Sequence, residues 1–184
     1  MGLFKKDPLE KLFKDYEYGD NDDILETAKA VSGNDAEVVS QMEFALKEPV
    51  KYIRENAERF EERGIEIDDE DSFDEMDSDE LLLLAMVDEL EEHGYEFELD
   101  WKCELEDFLW GLEQVKGYAL IKDVTQTLDL SEDDDAEEWG KQINAALGGK
   151  AYICYIDIDS DSYPLTIVSA ETLEKISLPF IIAM

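Results

Sequence analysis

Residues 150–168 read KAYICYIDIDSDSYPLTIV, two apolar runs on either side of a serine- and aspartate-rich turn. In the first run, Ala151 to Ile158, the residues Tyr152, Ile153, Cys154, Tyr155 and Ile156 leave almost no polar face, the composition of a strand covered on both sides. Asp157, Asp159 and Asp161 then alternate with Ile158, Ser160 and Ser162, and a second apolar run, Leu165 to Val168, follows Tyr163 and Pro164. Short side-chain oxygens bond their own backbone amides in such loops, so the stretch predicts a β-hairpin with a D-S-D-S turn.

Most of what precedes the hairpin has helical periodicity. Asp7-Pro8 with Glu10 starts a helix that carries Leu9, Leu12, Phe13 and Tyr16 on one face. Ile24, Leu25, Ala28 and Val31 make a second, stopping at Gly33. Asn34 with Glu37 opens a third through Val38, Met42, Ala45 and Leu46, which Pro49 interrupts. A fourth runs through Val50, Ile53, Ala57 and Phe60 to Gly64. Ile65 and Ile67 suggest a brief strand, and residues 68–80 are too acidic to bury and read as an exposed loop.

Leu81 to Val87 is apolar nearly all round and predicts a central helix, capped by Asp77 or Ser78 and ending at His93 and Gly94. Tyr95, Phe97, Leu99 and Trp101 alternate with Glu96, Glu98 and Asp100, the period of a strand with one wet face, at an edge or half-exposed. Leu105, Phe108, Leu109, Leu112 and Val115 form an amphipathic helix with Trp110 beside its stripe, and residues 118–130 sustain no period. Ser131 with Asp134 begins a helix through Trp139, Ile143 and Leu147 to Gly148-Gly149; Ala170 to Ile176 makes a closing helix before Pro179 and an apolar tail. These elements, with no repeat and no linker, predict one α+β domain over residues 1–184, its helices packed on a small, mainly antiparallel sheet with a C-terminal hairpin.

The chain has 184 residues, 44% of them hydrophobic, and a formal charge of -34 from 50 acidic and 16 basic residues. Between Glu66 and Glu138 there are 29 acids against Lys102, Lys116 and Lys122, so -26 of that charge falls in the middle of the chain. Such a surface repels nucleic acid and anionic membranes and attracts basic proteins or divalent cations. Cys103 and Cys154 are the only cysteines, which indicates no disulfide framework and a cytoplasmic setting. The longest apolar run is far below the roughly 18 residues that span a bilayer.

The alternating carboxylates Asp157, Asp159 and Asp161 are the candidate metal ligands, suited to calcium or magnesium. Against an EF-hand loop, however, Ser162 stands where glycine belongs, Val168 where the bidentate glutamate belongs, and Pro164 interrupts the loop. A solvated turn accounts for the same residues. His93 is the only histidine, which excludes paired-histidine catalysis, and its place in a last helical turn suits a charge partner. Cys103 lies beside Glu104 and Glu106, which disfavour a thiolate. No residue is assigned as catalytic, and whether the chain is an enzyme is left open, with the balance toward a non-enzymatic role. Of Trp101, Trp110 and Trp139, at least two are expected in the core; Trp101 and Trp110 are the candidate partner-binding residues.

The segments L-D-W-K (Leu99 to Lys102), F-L-W (Phe108 to Trp110) and D-S-D-S-Y (Asp159 to Tyr163) resemble those of an uncharacterised family of bacterial cytosolic domains. The resemblance covers the second half, from about Leu81 onward, and implies a bacterial α+β protein with no catalytic residues to transfer. If the shared residues are structural, it implies that Trp101 and Trp110 pack the helix after Glu104 onto the sheet while Asp161 and Tyr163 fix the turn; otherwise Asp159, Asp161, Trp101 and Lys102 share a site. The functional expectation is an acidic interaction protein for a basic protein partner, like immunity proteins in charge alone. The alternative is a divalent-cation-dependent binding protein or hydrolase using Asp157 to Asp161.

Overall fold

In the computed structural model, which describes residues 21–62, 78–158, 162–176 and 181–184, the predicted hairpin is the centre of the sheet. Its strands are β2 (Ala151–Ile156) and β3 (Ser162–Ser169), antiparallel with Ile153 opposite Ile167. Strand β1 (Glu96–Asp100) adds to β3 and β4 (Ile181–Ala183) adds to β2, both antiparallel, giving the order β1-β3-β2-β4. Pro164, which has no N–H to donate, stands one place outside the β2–β3 ladder, which begins at Leu165. The expected helix at 7–16, strand at 65–67 and acidic loop as far as residue 77 lie outside the described residues.

Helices cover both faces of the sheet, and this is why β2 and β3 are apolar without alternation. Cys154, Ile156 and Val168 face a core built with α1 (Asn21–Ser32), α2 (Ala36–Lys47), α3 (Pro49–Glu55), α4 (Ala57–Glu62) and α5 (Ser78–Glu92). Ala151, Ile153, Leu165 and Ile167 point the other way, into a second core with α6 (Leu105–Gln114) and α8 (Ala136–Leu147). The two short helices α7 (Lys122–Thr125) and α9 (Ala170–Leu173) bring the helices among the described residues to nine, packed with the four-stranded sheet in one compact α+β body.

Several boundaries differ from the sequence reading for local reasons. Asp35, not Asn34, caps α2 by accepting the Glu37 amide at 3.0 Å, while Asn34 takes the left-handed turn at φ 62°. The expected single helix after Pro49 breaks at Asn56, whose side chain turns back to the Tyr52 carbonyl at 2.9 Å. The aperiodic stretch 118–130 holds a 3-10 turn (Lys116–Leu120) and α7. Asp135 caps α8, and Ser131 instead accepts the Trp139 indole N–H at 2.7 Å. Glu96, expected on a wet face of β1, is buried opposite Thr166. Residues 78–80, expected at the end of the acidic loop, form the first turn of α5.

The apolar tail is a strand, and Asn144 continues its ladder. Where β4 ends, the Asn144 amide receives the Ile153 N–H at 2.8 Å and donates to the carbonyls of Ile153 at 2.9 Å and Met184 at 2.8 Å, so a buried side chain on α8 acts as a surrogate peptide group. Asn144→Ala leaves buried backbone groups without partners and lowers stability by about 2–4 kcal/mol, read as a fall in urea midpoint. Gly117 lies against β3 so closely that a Cβ would meet the Ile167 carbonyl oxygen and sit 2.8 Å from the Ile167 Cβ. Gly117→Ala therefore costs about 1–3 kcal/mol in the same assay.

Candidate functional site

Helix α5 is buried from Leu81 to Leu90, yet that span includes Asp88 and Glu89, 2% and 1% exposed. Partners from the preceding helices make this tolerable. The Tyr52 hydroxyl of α3 lies 2.5 Å from Asp88 Oδ2 and 2.6 Å from Glu89 Oε1. Arg59 of α4 places Nη2 at 2.6 Å from Asp88, 2.7 Å from Glu89 and 2.9 Å from the Tyr52 oxygen. One hydroxyl proton serves one carboxylate at a time, so Arg59 carries most of the compensation for two buried negative charges.

Burial, then the neighbouring Asp88 and Glu89 carboxylates, push the Tyr52 hydroxyl far above its ordinary value. Burial works against the charge on Arg59, but its bond to Glu89, together with Tyr52 and Asp88, holds the guanidinium above its usual value. Beyond this core the network reaches the surface. His93, just past α5, sets Nε2 at 3.3 Å from Glu89 Oε2 and Nδ1 at 3.8 Å from Glu37 Oε2. Beside Glu37, Asp35 accepts the Tyr95 hydroxyl at 2.8 Å and faces Lys116 Nζ at 3.8 Å. Those bonds, Tyr95 first and then the Glu37 amide, hold Asp35 below the usual carboxylate range despite a smaller opposing effect of burial.

The candidates named from sequence lie elsewhere. Trp101 follows β1 in the turn to α6, and Trp110 is on α6; they are 48% and 54% exposed, while Trp139 is buried. The expectation that two tryptophans fill the core is thus corrected to one, because α6 turns its Phe108–Leu112 stripe inward and leaves Trp110 on the flank. Trp110 meets Phe97 edge-on at 5.2 Å, and Lys102 Nζ sits over the Trp101 ring at 4.4 Å. Asp157 lies just past β2, and Asp159 and Asp161 lie outside the described residues. Burial, then Asp107 and Asp100, raise the Cys103 thiol, and burial pushes Cys154 up to about 12, so neither supplies a thiolate near neutrality.

Sequence reasoning missed the Tyr52–Arg59–Asp88–Glu89 cluster. The available signal was two adjacent acids closing an otherwise apolar helix, LLLLAMVDEL, where burial on all sides leaves no wet face for them. Tyr52, Asp88 and Glu89 are closed to solvent while Arg59 is 24% exposed, and the cluster pins α3 and α4 to α5. Among the described residues, two accessible features are the indoles Trp101 and Trp110 on the β1–α6 unit and the Asp35–Glu37–His93 group at the junction of α2 and α5.

This architecture defines an acidic α+β domain with helices on both faces of an antiparallel sheet. The chain belongs to the family described as a domain of unknown function, DUF6630, whose sequence pattern matches residues 23–178. The family therefore includes helices α1 to α5, and the expected limit of a family resemblance at about Leu81 is corrected: the domain cannot be cut there, since Tyr52 and Arg59 hold α5 in place. No curated protein and no solved structure matches the chain. No helix among the described residues is long and apolar enough to cross a membrane.

Because the folded-state value of Tyr52 is raised, its contribution is complete below the unfolded value of roughly pH 10 and is lost as pH rises above it. Unfolding curves between pH 9 and 11 should show the parent losing about 1 kcal/mol more than Tyr52→Phe from pH 10 to 11, while the variant starts less stable at neutral pH.

Proposed function

We propose that this chain is a non-enzymatic interaction protein that captures a basic segment of a protein partner, with Trp101 and Trp110 as its anchors. The observation that carries the reading is exposure: Trp101, Trp110 and Leu120 are the large apolar side chains left open among the described residues, and two of the three are indoles on one supersecondary unit. Aromatic anchors of this kind supply most of the energy at protein interfaces.

The surroundings fit a cationic occupant. Asp100, Glu104, Glu106 and Glu113 are exposed around the two indoles in a chain of formal charge -34, which speeds the approach of a basic surface and selects against acidic ones. Lys102 already lies over the Trp101 ring, the geometry that an arginine of a partner would adopt there. Phe97 braces Trp110 edge-on, so less side-chain entropy is lost when a partner docks.

A labelled peptide alternating arginine and leucine tests this by fluorescence anisotropy. Affinity for the parent should fall at least about tenfold between about 50 and 500 mM salt. Trp101→Ala/Trp110→Ala should weaken the peptide at low salt by at least about tenfold, while oligolysine, which has no apolar anchor, binds parent and variant alike. Peptide binding that is indifferent to salt, or equal in parent and variant, overturns the proposal.

A further inference from the structure

The second accessible group has the make-up of a metal centre. We propose a divalent transition-metal site of the zinc type at the junction of α2 and α5, with His93 Nδ1 and the carboxylates of Glu37 and Asp35 as ligands and Glu89 as the residue that orients the histidine. One ligand atom from each of Asp35, Glu37 and His93 lies within 4.8 Å of the others. Ligands bound at about 2.0–2.2 Å around one tetrahedral ion are about 3–4 Å apart, so the set is nearly closed already. Glu37 is 81% exposed and free to rotate inward by the ångström or so that remains.

Glu89 is the independent observation. It is 1% exposed, and its Oε1 is fixed by Tyr52 at 2.6 Å and Arg59 at 2.7 Å. Its Oε2 has no hydrogen-bond partner among the described residues and is aimed at His93, 3.3 Å from Nε2. The contact has ion-pair distance without hydrogen-bond alignment; a small turn of the ring on metal binding would bring an Nε2 proton onto this oxygen and leave Nδ1, 3.8 Å from Glu37, with its lone pair toward the metal. A buried carboxylate behind the imidazole is the arrangement that fixes the tautomer and raises the basicity of a metal-bound histidine.

The donor set also indicates which cation. An imidazole nitrogen with two carboxylate oxygens favours zinc over calcium or magnesium, which prefer oxygen alone. Asp35 keeps Oδ1 on the Glu37 amide as the α2 cap and shares Oδ2 with the Tyr95 hydroxyl, leaving that oxygen a further lone pair. Lys116, 3.8 Å from the same oxygen, opposes a cation there, so Glu37 and His93 carry the greater part of the affinity. These residues belong to other elements than Trp101 and Trp110, and the inference stands apart from the proposed interaction surface.

The test is zinc titration of the full chain in excess magnesium, which occupies the diffuse acidic surface, followed by calorimetry and by nitrogen-15 NMR of the imidazole. His93 is the only histidine, so its ring signals need no assignment. One equivalent of zinc should shift the Nδ1 resonance while Nε2 stays protonated. Glu37→Gln and His93→Asn, each with an unchanged circular dichroism spectrum, should weaken binding by at least about tenfold. Ring signals that do not move at saturation, zinc on Nε2, or equal binding by the parent and both variants overturns the site.

Discussion

Everything on one side of the sheet depends on accommodating two acidic side chains inside a helix buried all round from Leu81 to Leu90. Leu81 to Leu90 of α5 are buried throughout, and Asp88 and Glu89 would each cost several kcal/mol there if left alone. Their compensation is drawn from α3 through Tyr52 and from α4 through Arg59, so the position of those helices is dictated by charge as well as by apolar fit. Such a cluster adds little net stability over an apolar packing of the same volume, but it ties α5 to particular partners and to one rotation about its axis.

How far the sequence revealed this differs between elements. The hairpin was legible because Tyr152 to Ile156 is apolar on both faces, and a strand of that kind requires cover on both sides. Helix α6 was legible from its stripe, and the edge position of β1 from its alternation. Strand β4 was not, since three residues of IIA carry no period, and their strand character comes from β2 and from Asn144, 40 residues from Met184. The buried cluster was hidden for the same reason: Tyr52 and Asp88 are 36 residues apart, and neither residue's own neighbourhood announces the other.

The candidate sites show the complementary limit. Acidic residues are so abundant that any pair looks functional, and selection among them needed the directions of side chains: Glu89 toward His93, Asp35 toward Tyr95, Glu37 at the first turn of α2. For the tryptophans, spacing distinguished Trp110 from the α6 stripe, but nothing local separated Trp101 from the buried Trp139; only the fold decides that Trp101 falls in a turn past the sheet edge.

The strand order β1-β3-β2-β4 puts at the centre the only sheet neighbours among the described strands that are also consecutive in the chain, and recruits each outer strand across a longer connection. A hairpin closes over a short loop and is entropically cheap, whereas β1 reaches β3 only after a loop of more than 60 residues is closed. The sheet is therefore graded in persistence. The amides of β2 and β3 are thus expected to be the most slowly exchanging in the sheet, and each outer strand owes its place to contacts with that centre.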